Sequence, residues 1–183
     1  MDLTQYYYLD TITKITDKGW HLGYIEHYYN FKFTNLKIKP MAMLELGVHQ
    51  GQSIRLWSEW FENTFIYGID INLESIKKIE NFHMVKGIVG DGYTSEMVDK
   101  FDDGFFDIII EDGPHTLDSQ IFAAKNWVKK LKKNGFMVIE DIQDISHVEI
   151  IINSIPPNYA FKSFDLRSTK NRYDDIILEI TKL

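Results

Sequence analysis

The chain has 183 residues, 44% hydrophobic and 14% aromatic, which is ample for a single well-filled core and too apolar for a disordered chain. Its formal charge of -7, from 27 acids against 20 lysines and arginines, opposes a phosphate backbone and argues against nucleic acid as a partner. With no cysteine there is neither a disulfide framework nor a thiolate metal site, so any metal must be held by carboxylates, histidines and carbonyls.

Residues 1–38 read as an N-terminal helical cover and 39–183 as an α/β core, together one domain. The opening MDLTQYYYLD is acidic and broken by polar groups, and no apolar run approaches the roughly 20 residues needed to span a bilayer. The expectation is a cytoplasmic protein without a membrane partner. In TDKGWHLGYIEHYYNFKF, Trp20, Tyr24 and Tyr28 fit one helical face packed against the sheet edge. A compatible functional reading lays this segment over a ligand crevice, with Lys18 and His21 facing a carboxylate.

Short apolar runs then alternate with amphipathic stretches, the pattern of a sheet with helices on its faces. MAMLELG is the first strand, and GQSIRLWSEWF is a helix whose stripe is Ile54, Trp57 and Phe61. Between them, in LELGVHQGQS, Gly47 and Gly51 allow a ligand close to the backbone, and the helix N-terminus offers unpaired N–H groups. A dinucleotide fingerprint would need glycine where His49 and Gln52 stand, so a pyrophosphate would be crowded. Glu45 suits an ammonium or polar amino-acid group better. The plain alternative is a tight strand-to-helix turn.

TFIYGID, the second strand, ends in Asp70, about twenty residues after the glycines, where nucleoside-binding α/β proteins place an acid for ribose hydroxyls. Helix LESIKKIE leads to strand HMVKGIV and to VGDGY, whose Asp91 is available to an adenine amino group or merely makes a Gly-Asp-Gly turn. SEMVDKF is a further helix.

FFDIIIED reads as a buried central strand, so Asp112, Gly113 and His115 emerge at its carboxyl end, the edge where open α/β sheets bind ligands. Helix LDSQIFAAKNWVKKL follows, with Gly135 expected to close it in the left-handed conformation behind a lysine-rich end. GFMVIED then ends in Glu140 and Asp141. If the two strands are neighbours, about 4.8 Å apart, their carboxylates converge and raise one another's pKa unless a cation lies between them. Mg²⁺ prefers such an oxygen-rich site. His115, on a loop stiffened by Pro114, has the chemistry to take a proton from a hydroxyl that a metal has acidified. The alternative is solvated strand ends in which one acid of each pair caps the next helix.

SHVEIIINS is the last long helix. YAFKSFD and DDIILEI are joined by LRSTKNRY, too short for a crossover, which predicts an antiparallel hairpin. Its basic loop of Arg167, Lys170 and Arg172 reads as a solvated tip, with a phosphate contact as the functional alternative.

Glu45, Gly47, Gly51 and Asp70 resemble the cofactor motifs of class I S-adenosylmethionine-dependent methyltransferases. The wider set, TDKGWH, LELGVHQGQS, IDIN, EDGPH and VIEDIQD, is similar to the metal-dependent sugar O-methyltransferases of the macrocin and mycinamicin type over residues 16 to 145. The resemblance implies a Rossmann-like, doubly wound, seven-stranded sheet, mostly parallel with an antiparallel last strand. It also implies a cofactor, S-adenosylmethionine, with Glu45 and the glycine loop of Gly47 and Gly51 at the methionine portion, Asp70 at the ribose and Asp91 at the adenine, and with Lys18 and Ser53 also among the cofactor-binding residues. Asp112, Glu140 and Asp141 would bind Mg²⁺ or another divalent cation, and His115 would be the general base. The implied acceptor is a hydroxyl of a sugar or glycoside, with self-association left open. Pro114 departs from the group, where a small hydroxyl residue is common, and the chain is shorter than the members that act on macrolides. Two other classes stay in view. One is a nicotinamide-dependent oxidoreductase on a similar sheet, disfavoured by the missing glycines, and the other is a noncatalytic nucleoside- or sugar-binding domain.

Overall fold

The computed structural model describes residues 1–9, 16–20 and 23–183, and of these not the side chains of Leu9, Trp20 and Lys170. Its strands are β1 (Met41–Leu46), β2 (Thr64–Asp70), β3 (Val85–Val89), β4 (Phe106–Glu111), β5 (Leu131–Ile139), β6 (Tyr159–Asp165) and β7 (Ile176–Lys182). They form one sheet in the order β3-β2-β1-β4-β5-β7-β6. The pairings among β1 to β5 are parallel, and β7 runs antiparallel to both β5 and β6. The seven strands, the hairpin at the end and the central place of FFDIIIED agree with the sequence reading.

Alternation along β4 divides the core into two layers. Ile108 and Ile110 face one cluster, while Phe106 and Ile109 face the other, and all four are fully buried. Against the first face lie α1 (Leu3–Leu9), α2 (Asp17–Trp20), a π-helical turn (Ile25–Tyr29), α3 (Asn30–Phe33), α4 (Gln52–Trp60) and α5 (Leu73–Ile79). Tyr7, Tyr24, Tyr28, Tyr29 and Phe33 join Trp57 and Trp60 there in one aromatic layer. The single helix expected through Trp20, Tyr24 and Tyr28 is therefore broken into short pieces, and the side chain of Trp20 and all of His21 lie outside the described residues. On the opposite face α6 (Ser95–Val98), α7 (Leu117–Asn126) and α8 (Ile145–Ser154) bury Met97, Ala123, Ala124, Val148 and Ile151.

The expectation for Gly135 needs correction. Helix α7 tightens into a 3₁₀ turn over Trp127–Lys130 and β5 has begun by Leu131, so Gly135 lies inside the strand. The left-handed residue is Asn134, with φ 64°. A Cβ on Gly135 would sit 2.9 Å from the carbonyl oxygen of Asp107, where the register between β4 and β5 shifts. The glycine admits close passage of the neighbouring backbone at an irregularity.

Strand register sets up the site. Leu46 pairs with Glu111 and Glu111 with Ile139, so β1, β4 and β5 end level. Gly47, Asp112 and Glu140 then leave the sheet side by side at its carboxyl edge.

Candidate active site

The loops after these three strands are held in unusual backbone conformations. His49 after β1, His115 after β4 and Asp141 after β5 have φ of 48°, 55° and 51°. Non-glycine residues held there cost on the order of 1–3 kcal/mol each, which points to a function for the geometry. Gly47, at φ 91°, admits no side chain, because a Cβ would come within 2.0 Å of the carbonyl oxygen of Asp112. The first and fourth strand ends are thus in backbone contact.

They border a cleft of about 770 Å³ whose walls include Thr16, Gly47, Asp70, Tyr93, Asp112 and His115. Asp70 organises one end. Its Oδ2 accepts from the amides of Val48 (2.9 Å) and His49 (3.0 Å), and its Oδ1 from Asn72 N (2.7 Å). Burial alone would raise its pKa, but the amides of Asn72, His49 and Val48 outweigh it and hold the carboxyl below the usual range. Asp91 also lines the cleft, exposed, with Oδ1 accepting from Tyr93 N at 2.8 Å. Gly51, left-handed at φ 76°, starts α4, and Ser53 on its first turn lines the cleft.

Glu45 lies beneath that wall. It is fully buried and accepts from Ser53 Oγ and from Trp57 Nε1 at 2.8 Å. Burial drives its pKa up to about 7, with Lys18 opposing. Its carboxylate fastens α4 to β1. Lys18 likewise is absent from the described lining of the cleft, although its neighbour Asp17 contributes to it. The Lys18 ammonium, 1% exposed, donates to Asp112 Oδ2 at 2.6 Å and to Glu140 Oε2. Burial would lower its pKa, and the Asp112 and Glu140 carboxylates overcome this and keep it charged.

Asp112, His115 and Asp141 each turn one atom into a common space, all within 4.8 Å of one another. His115 Nε2 lies 3.9 Å from Asp112 Oδ1 and 3.8 Å from Asp141 Oδ2. The other oxygen of Asp141 accepts from Tyr24 OH at 2.6 Å. Burial first, and then the Asp112 charge, push the Asp141 pKa up to about 6 against the pull of Tyr24 and His115. These distances exceed hydrogen bonds and leave room for a cation to join the two carboxylates. Glu140 is placed differently from its neighbour. It is fully buried and engaged by Lys18 and by Tyr29 OH, one layer behind that space. Gln120 Nε2 on α7 holds the turn by donating to the Glu140 carbonyl at 3.0 Å.

Several participants escaped the sequence reading. Tyr24, read as one of the aromatics packed on the sheet edge, and Tyr29, which the helical spacing does not single out, direct their hydroxyls at Asp141 and Glu140. Glu111 is fully buried, with Tyr93 OH donating to its Oε1 at 2.5 Å and no hydrogen-bond partner for its Oε2 among the described residues. Burial drives its pKa up to about 8. The available signal was strand alternation, since tandem acids at the end of a strand must turn to opposite faces.

This architecture, a cleft and an acid–histidine cluster at the carboxyl edge of a mostly parallel seven-stranded sheet, is that of a Rossmann-like α/β fold with its site at the strand ends. Residues 44–142, more than half of the chain, match the family described as a methyltransferase domain, and the chain belongs to that family. Membership displaces the nicotinamide-dependent reading.

The expected likeness to sugar O-methyltransferases is found. The 8-demethyl-8-(2-methoxy-alpha-L-rhamnosyl)-tetracenomycin-C 3'-O-methyltransferase of Streptomyces olivaceus is 28% identical over 131 residues, covering 67% of this chain and 33% of the relative. The mycinamicin VI 2''-O-methyltransferase of Micromonospora griseorubida is 30% identical over 139 residues, 69% of this chain and 33% of the relative. The chain thus spans about a third of the length of these relatives. Among solved structures, MycE methyltransferase from the mycinamycin biosynthetic pathway, in complex with Mg, SAH and mycinamycin VI, superposes with a TM-score of 0.65 at 26% identity, covering 77% of this chain and 39% of that one. TrmN of Thermus thermophilus, 12% identical with a TM-score of 0.61 over 84% of this chain and 48% of its own, shares the fold alone. No described helix is long and apolar enough to cross a membrane.

Proposed function

We propose that the chain transfers a methyl group from S-adenosylmethionine to a hydroxyl of a sugar-bearing small molecule, with Mg²⁺ held by Asp112 and Asp141. The observation that carries this is the meeting of Asp112, His115 and Asp141 at the rim of the cleft bordered by Gly47 and Asp70. The donor set fits a hard divalent ion: two carboxylate oxygens reach one space, and nothing softer than an imidazole is present. The relatives' sugar O-methylation and the Mg and SAH in MycE support the same reading.

In this scheme the cleft orients the cofactor, which supplies an already activated methyl group. Asp70 keeps an acceptor charge at the ribose end, Asp91 serves the adenine, and Gly47, Gly51 and Ser53 shape the methionine end. Glu45 acts from behind by anchoring Ser53 and Trp57. A divalent ion, when bound, lowers the pKa of an acceptor hydroxyl. His115 receives that proton at Nε2, the nitrogen that faces both acids. Lys18 and Glu140 form the layer that fixes Asp112, and Tyr24 fixes Asp141. Alignment of donor and acceptor accounts for much of the expected rate.

Incubation with S-adenosylmethionine, Mg²⁺ and a panel of sugars and glycosides, followed by mass spectrometry, tests the reading. A methyl increment on a sugar that disappears in excess chelator is expected. Full turnover in chelator would eliminate the metal, and methylation confined to non-sugar acceptors would eliminate the substrate class.

A further inference from the structure

A second hollow lies at the same edge of the sheet, in the segment between β6 and β7. It measures about 580 Å³, within the about 300–1,000 Å³ usual for small-molecule sites, and is lined by Asp165, Arg167, Ser168, Asn171, Arg172 and Tyr173. The segment contains one helical turn, α9 (Arg167–Lys170), followed by Asn171 in the left-handed conformation at φ 57°. Its base is closed by Leu166 N donating to Asp175 O at 2.8 Å.

The hollow adjoins the acid–histidine cluster. Ile142 N, one residue past Asp141, donates to Ile176 O at 3.1 Å, which sets the root of this segment beside the end of β5. Arg172 lies within electrostatic reach of Asp141, and Asp175 within reach of Tyr24, the residue bound to Asp141. The hollow and the cleft share no lining residue, and Arg172 and Asp141 stand between them at the same edge of the sheet.

The chemistry of the lining selects among ligands. Its cations are already engaged, Arg167 with Asp165 at 2.7 and 2.8 Å, and Arg172 with Asp175 at 3.2 Å and Asp174 at 3.3 Å. An added phosphate would have to compete with three carboxylates for two guanidinium groups. A neutral polyol has no such conflict, because each of its hydroxyls both donates and accepts and can bridge an acid and its arginine. Tyr173, 67% exposed, offers an aromatic face to the C–H side of a pyranose ring.

We propose that this hollow is an acceptor subsite that holds an uncharged glycosyl unit, with Tyr173 as its platform. The inference rests on the methyltransferase reading, since it takes the acceptor to react beside His115. It assigns to the β6–β7 segment a discrimination in favour of neutral glycosides over sugar phosphates.

The test uses the whole chain saturated with SAH and Mg²⁺, with p-nitrophenyl α-L-rhamnopyranoside as probe in saturation-transfer NMR. The parent should transfer saturation to the sugar ring protons, and inorganic phosphate should not displace the probe. Tyr173→Ala should weaken binding about two- to tenfold, the range for losing an aromatic contact, and Tyr173→Phe should restore it. Equal binding by parent and Tyr173→Ala, displacement by phosphate, or no saturation in the SAH-loaded parent would each overturn the subsite. Calorimetry of SAH on the same samples separates the two levels. SAH binding without glycoside binding overturns the subsite alone, whereas absence of SAH binding overturns both.

Discussion

Lys18 Nζ donates to Asp112 Oδ2 at 2.6 Å although 94 positions separate the two residues in sequence. The same ammonium holds Glu140, so one cation from the N-terminal cover restrains acids that follow two different strands. Buried charge of this kind is costly when half is removed, because the remaining carboxylates lose their partner without regaining water. Lys18→Met should therefore destabilise the protein by about 3–5 kcal/mol, read as a shift of the urea midpoint at unchanged slope. A change of a few tenths would contradict a structural role for this buried ion pair.

Asp70 offers a narrower test. Its carboxylate receives three backbone amides, two from the turn that carries His49, and is held charged by them. Asp70→Ala should weaken SAH binding by about 1.5–3 kcal/mol, as expected for losing a charged acceptor, and Asp70→Asn should recover part of it. Equal calorimetric affinities in parent and Asp70→Ala would remove the residue from the cofactor's reach.

What the sequence made legible follows from what local pattern can carry. Strand alternation, helix stripes and strand-ending acids are local, so the seven strands, the hairpin and the shared edge of Asp70, Asp112 and Asp141 were readable. The partners of those acids were not. Tyr24 read as a packing residue because helical spacing reports which face is buried and says nothing of where a hydroxyl ends, and Tyr29 carried no signal beyond the run of aromatics around it. That Lys18 would meet Asp112 and Glu140 depends on how the cover folds over the sheet, which no periodicity encodes. Gly135 was misread because a lysine-rich end followed by glycine resembles a helix stop, while the close approach of Asp107 that demands the glycine comes from the neighbouring strand.

Glu111 carries a pH signature. Its pKa is raised to about 8 in the fold against about 4.3 in an unfolded chain. Between those values the folded state binds more protons than the unfolded one, so stability declines as pH rises through this window. Glu111→Gln mimics the protonated acid, keeping an acceptor for Tyr93 and a donor in place of the acid proton. Denaturation from pH 5 to pH 8.5 should show the parent losing stability relative to the variant. Parallel curves would place the Glu111 pKa near its ordinary value.

Single-turnover methyl transfer across pH, with metal and SAH binding measured on the same proteins, decides whether His115 moves the proton at a site whose metal is held by Asp112 and Asp141. His115→Ala should keep both affinities and slow transfer by about 10²–10⁴-fold, while Asp112→Asn should lose metal affinity and activity together. The parent's rate should depend on pH, and His115→Ala should lose that dependence. Near-parental rates and the same pH profile in His115→Ala, or loss of metal binding with the histidine, would contradict the account and make His115 a bystander or a ligand.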